Sequence, residues 1–497
     1  SWKEVDGALV CSGKGSVLFA GKRLGAGDFV VRAELAIDQL AKSAASIVVN
    51  ESHFGFEGAG GAMFTHGAIF GQESLGQPVV SDGKRFALVV QRKQDQLSIE
   101  IDGSEIHAAT LAPDVVVQVG FRPWRSTMRL TQFSATGTLL EAPKPLPDVT
   151  VFEANTGGYH TYRIPAVVLA QDGTLLAFSE GRKTGRGDAG NIDMLVRRSS
   201  DFGKSWSDST VIWDDGGNTC GNPCPVVDQQ TGVVWLLMTW NLGSDHERQI
   251  MDGTSEHPRH AYVTHSTDNG VTWEKPVKIS DQVRLDHWRW YATGPGNAIQ
   301  LTRPPHEGRL LIPANHSDHS NPDEHPYRSH VFWSDDHGKT WELGGIHESR
   351  TNESAVVELA DGSILQSMRS YHGKNNRAAA ISDDGGRTFG KVGLDDALRT
   401  PVCQANILRH SWPSDSPDRK SRILFCSPTG TRRAELTVWV SYDEGKTWPV
   451  RKLIYHGGSA YSNLIVLPDG TIGVLYEKDD YRTISFVTFS LDWLEDR

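Results

Sequence analysis

Five short segments of this chain repeat one pattern, S-x-D-x-G-x-[ST]-[WF], and it constrains the fold more than any other feature. They are Ser199–Trp206, Ser266–Trp273, Ser334–Trp341, Ser382–Phe389 and Ser441–Trp448, with starts 67, 68, 48 and 59 residues apart. Recurrence at such intervals marks a repeated supersecondary unit. Each segment has the composition of a tight turn between strands. The Asp carboxylate accepts backbone N–H groups about two residues on. The Gly takes a positive φ without a steric penalty, and the terminal ring is an apolar wedge between neighbouring sheets. Asp201, Asp268, Asp336, Asp384 and Asp443 are therefore read as turn-forming rather than catalytic. The fourth segment ends in Phe389, which keeps the wedge and lacks the indole donor.

Residues 1 to about 140 hold no such segment. Runs such as Phe29–Leu35, Phe86–Arg92 and Gln96–Ile101, the last followed by Asp102-Gly103, alternate apolar and polar residues and predict a β-sandwich. The stretch 141–148 carries Pro143, Pro145 and Pro147 and reads as a stiff linker. From 149 to 497 the chain predicts strand after strand, with hairpin turns at Asp172-Gly173, Asp361-Gly362 and Asp469-Gly470. About 350 residues at roughly 60 per repeat predicts an all-β second domain of six propeller blades. With five boxes, one blade is expected to lack one.

The balance of 50 Lys+Arg against 61 Asp+Glu gives a net charge of −11. That argues against a general nucleic-acid binder and leaves room for a local basic pocket. No run of 18 or more apolar residues predicts a membrane span. No signal peptide is read in the sequence, and the start Ser1-Trp2-Lys3 is not a natural one, which leaves room for a removed targeting segment. Five cysteines are too few for a disulfide framework; Cys220 and Cys224 are either a small-loop disulfide or two buried thiols.

A propeller gathers loops from every blade round one axis, so scattered residues belong in one constellation. The propeller region opens with Tyr162-Arg163-Ile164-Pro165, followed by Phe178-Ser-Glu-Gly-Arg182 and Gly187-Asp188-Ala-Gly-Asn-Ile-Asp193. Farther on come Asn352-Glu353-Ser354, Ser367-Met-Arg369-Ser370, Arg432-Arg433-Ala-Glu-Leu436, Ala460-Tyr461-Ser462 and Leu475-Tyr-Glu477. With the boxes behind it, the R-I-P start makes residues 148–497 resemble the bacterial and animal exo-α-sialidases (neuraminidases). The resemblance implies that Arg163, Arg369 and Arg433 bind the substrate carboxylate and that Arg182 lines the pocket. It further implies that Asp188 is the acid/base, Glu353 the base beside the nucleophile Tyr461, and Glu477 a brace for Arg163. Modules like the first domain often accompany such propellers as lectin-like sandwiches, so residues 1–140 are a candidate carbohydrate-binding module.

The chemistry suits these residue types. A guanidinium binds carboxylate bidentately and stays charged at any working pH. Glycosidases ordinarily pair two carboxyls across an oxocarbenium-like transition state, and sialidases with a Tyr nucleophile are a recognised exception. A carboxylate nucleophile would be repelled by the carboxylate on sialic acid's anomeric carbon, and a neutral phenol is not. A phenol with pKa near 10 needs an adjacent base, the place given to Glu353. Each residue has a plainer alternative: ion pairing for the arginines and Glu353, turn formation for Asp188, ring packing for Tyr461. Asp193 competes with Asp188 as the acid.

The histidine- and acid-rich stretch His316–His325 contains metal-ligand types but no closed tetrahedral spacing, and is read as a solvated loop at the pocket rim. Trp288, Trp290 and Tyr291 form either a glycan-contacting wall or blade packing. Asn50, Asn315 and Asn352 begin glycosylation triplets. The resulting expectation is a retaining exo-sialidase of sialylated glycans, glycoproteins or glycolipids. It needs no cofactor or metal, binds no nucleic acid, and acts secreted, periplasmic or at the cell surface. The alternatives are a trans-sialidase, which would use the same residues, and a non-catalytic glycan-binding propeller.

Overall fold

A computed structural model of the chain describes every residue except 1, 14–16, 41–42, 51, 59, 68, 142–145, 415, 417 and 496–497. The chain divides into two compact units, Ser1–Lys144 and Pro145–Arg497. In the first, a seven-stranded and a six-stranded antiparallel sheet enclose one apolar core that includes Leu35, Ile47, Phe54, Val90 and Ile99. The predicted strands are present as Phe29–Asp38, Arg85–Lys93 and Gln96–Ile101. Along Arg85–Lys93, buried Phe86, Leu88, Val90 and Arg92 alternate with more exposed neighbours. Arg92 is a structural cation: its guanidinium donates to the carbonyls of Gly25, Gly27, Ala112 and Val115. Glu141 ends a strand, Leu139–Glu141, and Asp148 begins one, Asp148–Glu153. The linker expected over 141–148 is thus shorter at both ends, and its residues 142–145 lie outside the described ones.

The second unit is a propeller of six blades, each of four antiparallel strands. The first blade is Thr161–Leu169, Leu175–Arg182, Ile192–Ser199 and Thr210–Trp213. The second is Thr219–Val227, Val234–Asn241, His260–Ser266 and Val277–Lys278. In the third, the broken first strand Tyr291–Thr293 and Ile299–Gln300 pairs with Leu310–Ser317, which is followed by Tyr327–Ser334 and Glu342–Ile346. The fourth is Thr351–Glu358, Ile364–Ser370, Asn376–Ser382 and Gly393–Arg399. The fifth takes Asn406–Ser411, Arg422–Pro428, Ala434–Ser441 and the first half of Val450–Val466. The second half of that strand opens the sixth blade, which continues through Ile472–Lys478 and Thr483–Phe489 and is completed by Asp148–Glu153.

This closure explains five boxes on six blades. Every box is the turn from a third strand to a fourth. In the sixth blade that turn does not exist, because its fourth strand comes from the other end of the unit. The box hydrogen bonds differ from the expected Asx pattern. Asp336 Oδ1 accepts from the N–H of Thr340, four residues on, and Oδ2 from its hydroxyl, at 2.9 and 2.6 Å. Ser334 Oγ accepts the Gly338 N–H at 2.8 Å. Gly338 has φ +82°, and a Cβ there would lie 2.3 Å from the Trp235 ring of the preceding blade. So both backbone conformation and close blade packing demand glycine. Trp341 packs edge-on against Trp235, as the wedge reading requires.

Strand direction then separates the two faces of the propeller. A first strand starts, and a second strand ends, on one face; third strands end at the boxes on the other. The box aspartates therefore stand on the face opposite the starts of the first strands. Cys220 and Cys224 are buried free thiols in different apolar clusters. Among the described residues no helix is long and apolar enough to cross a membrane.

Candidate active site

The first strands are not regular where they begin. Register shifts fall between Arg163 and Ala166, Gly221 and Cys224, Thr351 and Ser354, and Ser459 and Ser462. These bulges lie in the first, second, fourth and sixth blades, and bulges re-aim side chains. They carry Arg163, Asn222, Glu353 and Tyr461, all of which line one cavity of about 160 Å³. Ile164, a β-branched residue, has φ +60°, a strained conformation of the sort that clusters at functional sites. Second-strand ends supply Arg182 and Arg369, and the loops between second and third strands supply Asp188, Glu247, Arg259, Tyr371 and Arg433. All six blades contribute.

Glu477, with no exposed surface, holds two bulges together. It accepts Arg163 Nε at 2.6 Å and the backbone N–H groups of Ile164 and Tyr461 at 2.9 and 3.0 Å. Arg163 also stacks over the rings of Tyr481, at 4.1 Å, and Tyr461, at 5.3 Å. Arg433 donates to the Tyr481 hydroxyl at 3.1 Å. Arg369 donates to Glu353 Oε2 at 2.8 Å and to the Tyr461 hydroxyl at 3.3 Å. Tyr461 in turn donates to Glu353 Oε1 in a short hydrogen bond. Burial, together with the Glu353 charge, pushes the Tyr461 phenol well up despite Arg369 and Arg433. It is therefore neutral at rest and loses its proton only to an adjacent base.

Asp188 sits at the cavity mouth with its side chain 63% exposed. Arg182 Nη1 approaches it at 2.8 Å and Arg163 Nη1 at 3.9 Å. Desolvation pushes the Asp188 carboxyl up, but Arg182, Arg163 and Arg259 outweigh it and hold the group below the usual carboxylate range. Arg182 is fixed from behind by Glu180, at 2.6 Å, whose other oxygen accepts the Asn222 N–H at 2.8 Å. Five guanidiniums thus meet in one pocket of an acidic chain: Arg163, Arg182, Arg259, Arg369 and Arg433. The arrangement can hold a carboxylate, present a phenol–carboxylate pair to the atom beside it, and offer a carboxyl at the mouth.

The other sequence candidates fall elsewhere. Asp193 is 1% exposed beneath Tyr159 and Lys183, at 2.6 and 3.0 Å, and does not line the cavity. His316 is not in a solvated loop: it lies in strand Leu310–Ser317, fully buried, stacked on Trp288 at 3.4 Å and 3.0 Å from His330. Alternation along that strand turns its ring into the core. Trp288 and Tyr291 are blade packing, whereas Trp290 lines the cavity. Asn315 and Asn352 are buried cavity residues, too enclosed to carry a glycan. Among the described residues no group of three or more His, Cys, Asp or Glu is placed to hold a metal.

Sequence reasoning missed Arg259, Glu247 and Tyr371. None lies in a recognisable motif. A signal was nonetheless present: all three follow a second strand, the blade position that also supplies Asp188 and Arg433.

The chain matches the BNR repeat-like domain family over residues 173–474. It is 33% identical over 347 residues to a sialidase of Micromonospora viridifaciens, across 68% of this chain and 52% of that protein, so it spans about half that relative's length. It is 31% identical over 373 residues to an exo-alpha-sialidase of Aspergillus fumigatus, across 68% of this chain and 86% of the relative. To sialidase-2 of Cricetulus griseus it is 31% identical over 368 residues, across 69% and 94%. Among solved structures, Hadza microbial sialidase Hz136 shares the fold with a TM-score of 0.64 at 22% identity, over 97% of this chain and 98% of the other.

Proposed function

The chain belongs to the sialidase family, and from that premise we propose that it is a retaining exo-α-sialidase working through a tyrosyl-enzyme intermediate. One observation carries the reading. The Tyr461 hydroxyl is hydrogen-bonded to both Glu353 and Arg369 in a cavity that Asp188 also lines. Arg163, Arg369 and Arg433 bind the sialic acid carboxylate. Tyr461 Oη attacks the anomeric carbon while its proton passes to Glu353, and Asp188 protonates the departing glycosidic oxygen. Asp188 then takes a proton from water, the water oxygen attacks the same carbon, and Tyr461 leaves, recovering its proton from Glu353. Two displacements return the original configuration.

The low-lying Asp188 carboxyl fits this sequence because the substrate is itself an anion. A carboxylate bound to Arg163 offsets the cationic field on Asp188 and raises its affinity for a proton. The acid thus becomes competent when substrate is bound. Terminal sialic acids of glycoproteins or glycolipids are the proposed substrates, which puts the working site outside the cytosol. For residues 1–140 we propose a glycan-holding role; their two-sheet sandwich has a hollow lined by Gly58, Met63 and Phe64.

NMR spectra taken during hydrolysis of an α-sialoside test the mechanism. The α-anomer of sialic acid should appear first and mutarotate later. First appearance of the β-anomer would contradict double displacement. Absence of turnover by folded protein between about pH 4 and 8, a range spanning carboxyl and imidazole titration, would remove the hydrolase reading.

A further inference from the structure

The loop after the second strand supplies the cavity with Asp188 in the first blade, Glu247 and Arg259 in the second, Tyr371 in the fourth and Arg433 in the fifth. In the sixth blade that loop is residues 479–482, and none of them lines the cavity. Its backbone is nonetheless strained. Asp479, Asp480 and Tyr481 have φ of +53°, +55° and +66°, three consecutive left-handed residues without a glycine. Residues with a side chain enter that region singly and at a cost, and such strain persists only where the surroundings enforce it. Here they do. The Asp479 N–H donates to the Gly458 carbonyl at 2.7 Å, and the Arg482 N–H closes the turn on the Asp479 carbonyl at 3.2 Å. The Asp479 carboxylate accepts the Tyr455 hydroxyl.

The turn delivers Tyr481. Its half-buried ring packs against the apolar cluster of Ile164, Cys403, Ala460 and Tyr461. The Arg163 guanidinium lies over that ring at 4.1 Å, and the Tyr481 hydroxyl accepts Arg433 Nη1 at 3.1 Å. These are two of the three arginines proposed to bind the substrate carboxylate, and they are held differently. Arg163 is paired with Glu477, as Arg369 is with Glu353. The polar partners of Arg433 are the Tyr481 hydroxyl and, at 3.4 Å, the Val402 carbonyl. Among the described residues no carboxylate lies within ion-pair distance of it. A neutral partner thus fixes Arg433 without cancelling its charge.

We propose that Tyr481 is a positioning residue for carboxylate recognition: the strained turn aims one phenol at both Arg163 and Arg433, its face setting the plane of the first and its hydroxyl the direction of the second. The inference rests on the sialidase reading and adds to it a residue that acts through the arginines rather than on the substrate. A guanidinium recognises a carboxylate through a planar fork of donors, so its orientation matters as much as its charge. Donors ordered before the ligand arrives raise affinity by lowering the cost of binding. A ring that served only as packing would support every ligand of the cavity alike. A ring that aims two guanidiniums supports the charged one above the rest.

The test is calorimetric titration of the full chain with the didehydro form of sialic acid and with its C1 carboxamide, which has nearly the same shape and no charge. Turnover of a 4-methylumbelliferyl α-sialoside is measured alongside. Wild type should favour the acid. Tyr481→Phe keeps the ring over Arg163 and removes the acceptor for Arg433. It should weaken the acid about tenfold, the scale of one hydrogen bond to a charged group, and the amide far less. KM should rise with kcat little changed, as for an interaction made equally in ground and transition states. Tyr481→Leu, which removes ring and hydroxyl, should shrink the acid-to-amide ratio further. Should Tyr481→Leu not fold, Tyr481→Phe decides, since it differs by one oxygen atom. An acid preference that survives Tyr481→Phe unchanged, including equal weakening of both ligands, would overturn the role of Tyr481 alone. A wild type that binds the acid no better than the amide would overturn the carboxylate site, and the sialidase reading with it. If the acid is preferred but no sialoside is cleaved, the hydrolase reading fails, and the binding ratio still settles the role of Tyr481.

Discussion

At the residue scale, the account turns on which groups hold protons and which pay for charge. Tyr461 is neutral because it is buried beside Glu353, so Tyr461→Phe should lower kcat on an aryl sialoside by about 10³-fold or more while the protein stays folded. Asp188→Ala should slow a natural sialoglycan by about 10²-fold or more, and the activated substrate less, because its leaving group needs little protonation and only the water step then lacks Asp188. The same acid predicts a pH signature. Its protonated fraction falls as pH rises, so kcat on a natural glycan should decline toward alkaline pH, while turnover of an aryl sialoside stays flatter over that range. Parallel pH profiles for the two substrates would contradict the acid role. Glu477 pairs with Arg163 and caps two bulges, and removing one partner of a buried pair costs about 3–5 kcal/mol. Glu477→Ala should lower stability on that scale in denaturant unfolding and raise KM. Residues in short contiguous motifs, such as Arg163 in R-I-P and Tyr461 in Ala-Tyr-Ser, were legible in the sequence. Arg259 was not, because its place in the cavity depends on blade closure rather than on its neighbours in the chain.

At the scale of elements, the boxes separate fold from function. Their aspartates lie across the propeller from the cavity and are bonded into their own turns. Asp336→Ala should cost about 1 kcal/mol or somewhat more of stability, the worth of one or two local hydrogen bonds, and leave kcat unchanged. A loss of turnover without a fall in Tm would restore a catalytic role to the box. The sequence made the turn legible but misplaced its bonds, since the Asp reaches four residues on and the Ser, not the Asp, takes the Gly N–H. A second element was misread altogether. His316, His330 and His347 are buried within the third blade and beside it, and burial holds His330 down to about 3 and His347 to about 4. A folded-state pKa below the unfolded value near 6.5 means that the unfolded chain binds more protons between the two. Stability is then complete above about pH 6.5 and is lost as pH falls. Unfolding free energy should drop by at least about 2 kcal/mol from pH 7 to pH 5, and a flat profile over that interval would be inconsistent with neutral buried imidazoles.

At the scale of the whole molecule, six weakly similar blades make one strongly charged pocket. No blade carries a complete site: the Tyr461 phenol comes from the sixth, the proposed base Glu353 from the fourth, the proposed acid Asp188 from the first. Spacing alone gave the blade count, because a unit of roughly 60 residues divides the length into about six. How the ring closes was not legible, since Asp148–Glu153 pairs with Thr483–Phe489 across almost the entire unit and nothing local records that partnership. The measurement that tests the central claim most directly is covalent trapping with a 3-fluorosialosyl fluoride. Attack expels fluoride, and the remaining fluorine slows hydrolysis of the adduct. Peptide mass spectrometry should find one fluorosialosyl group on the peptide containing Tyr461, and none in Tyr461→Phe. An adduct on Glu353 or Asp188, or no adduct on protein that turns over α-sialosides, would contradict a tyrosyl intermediate.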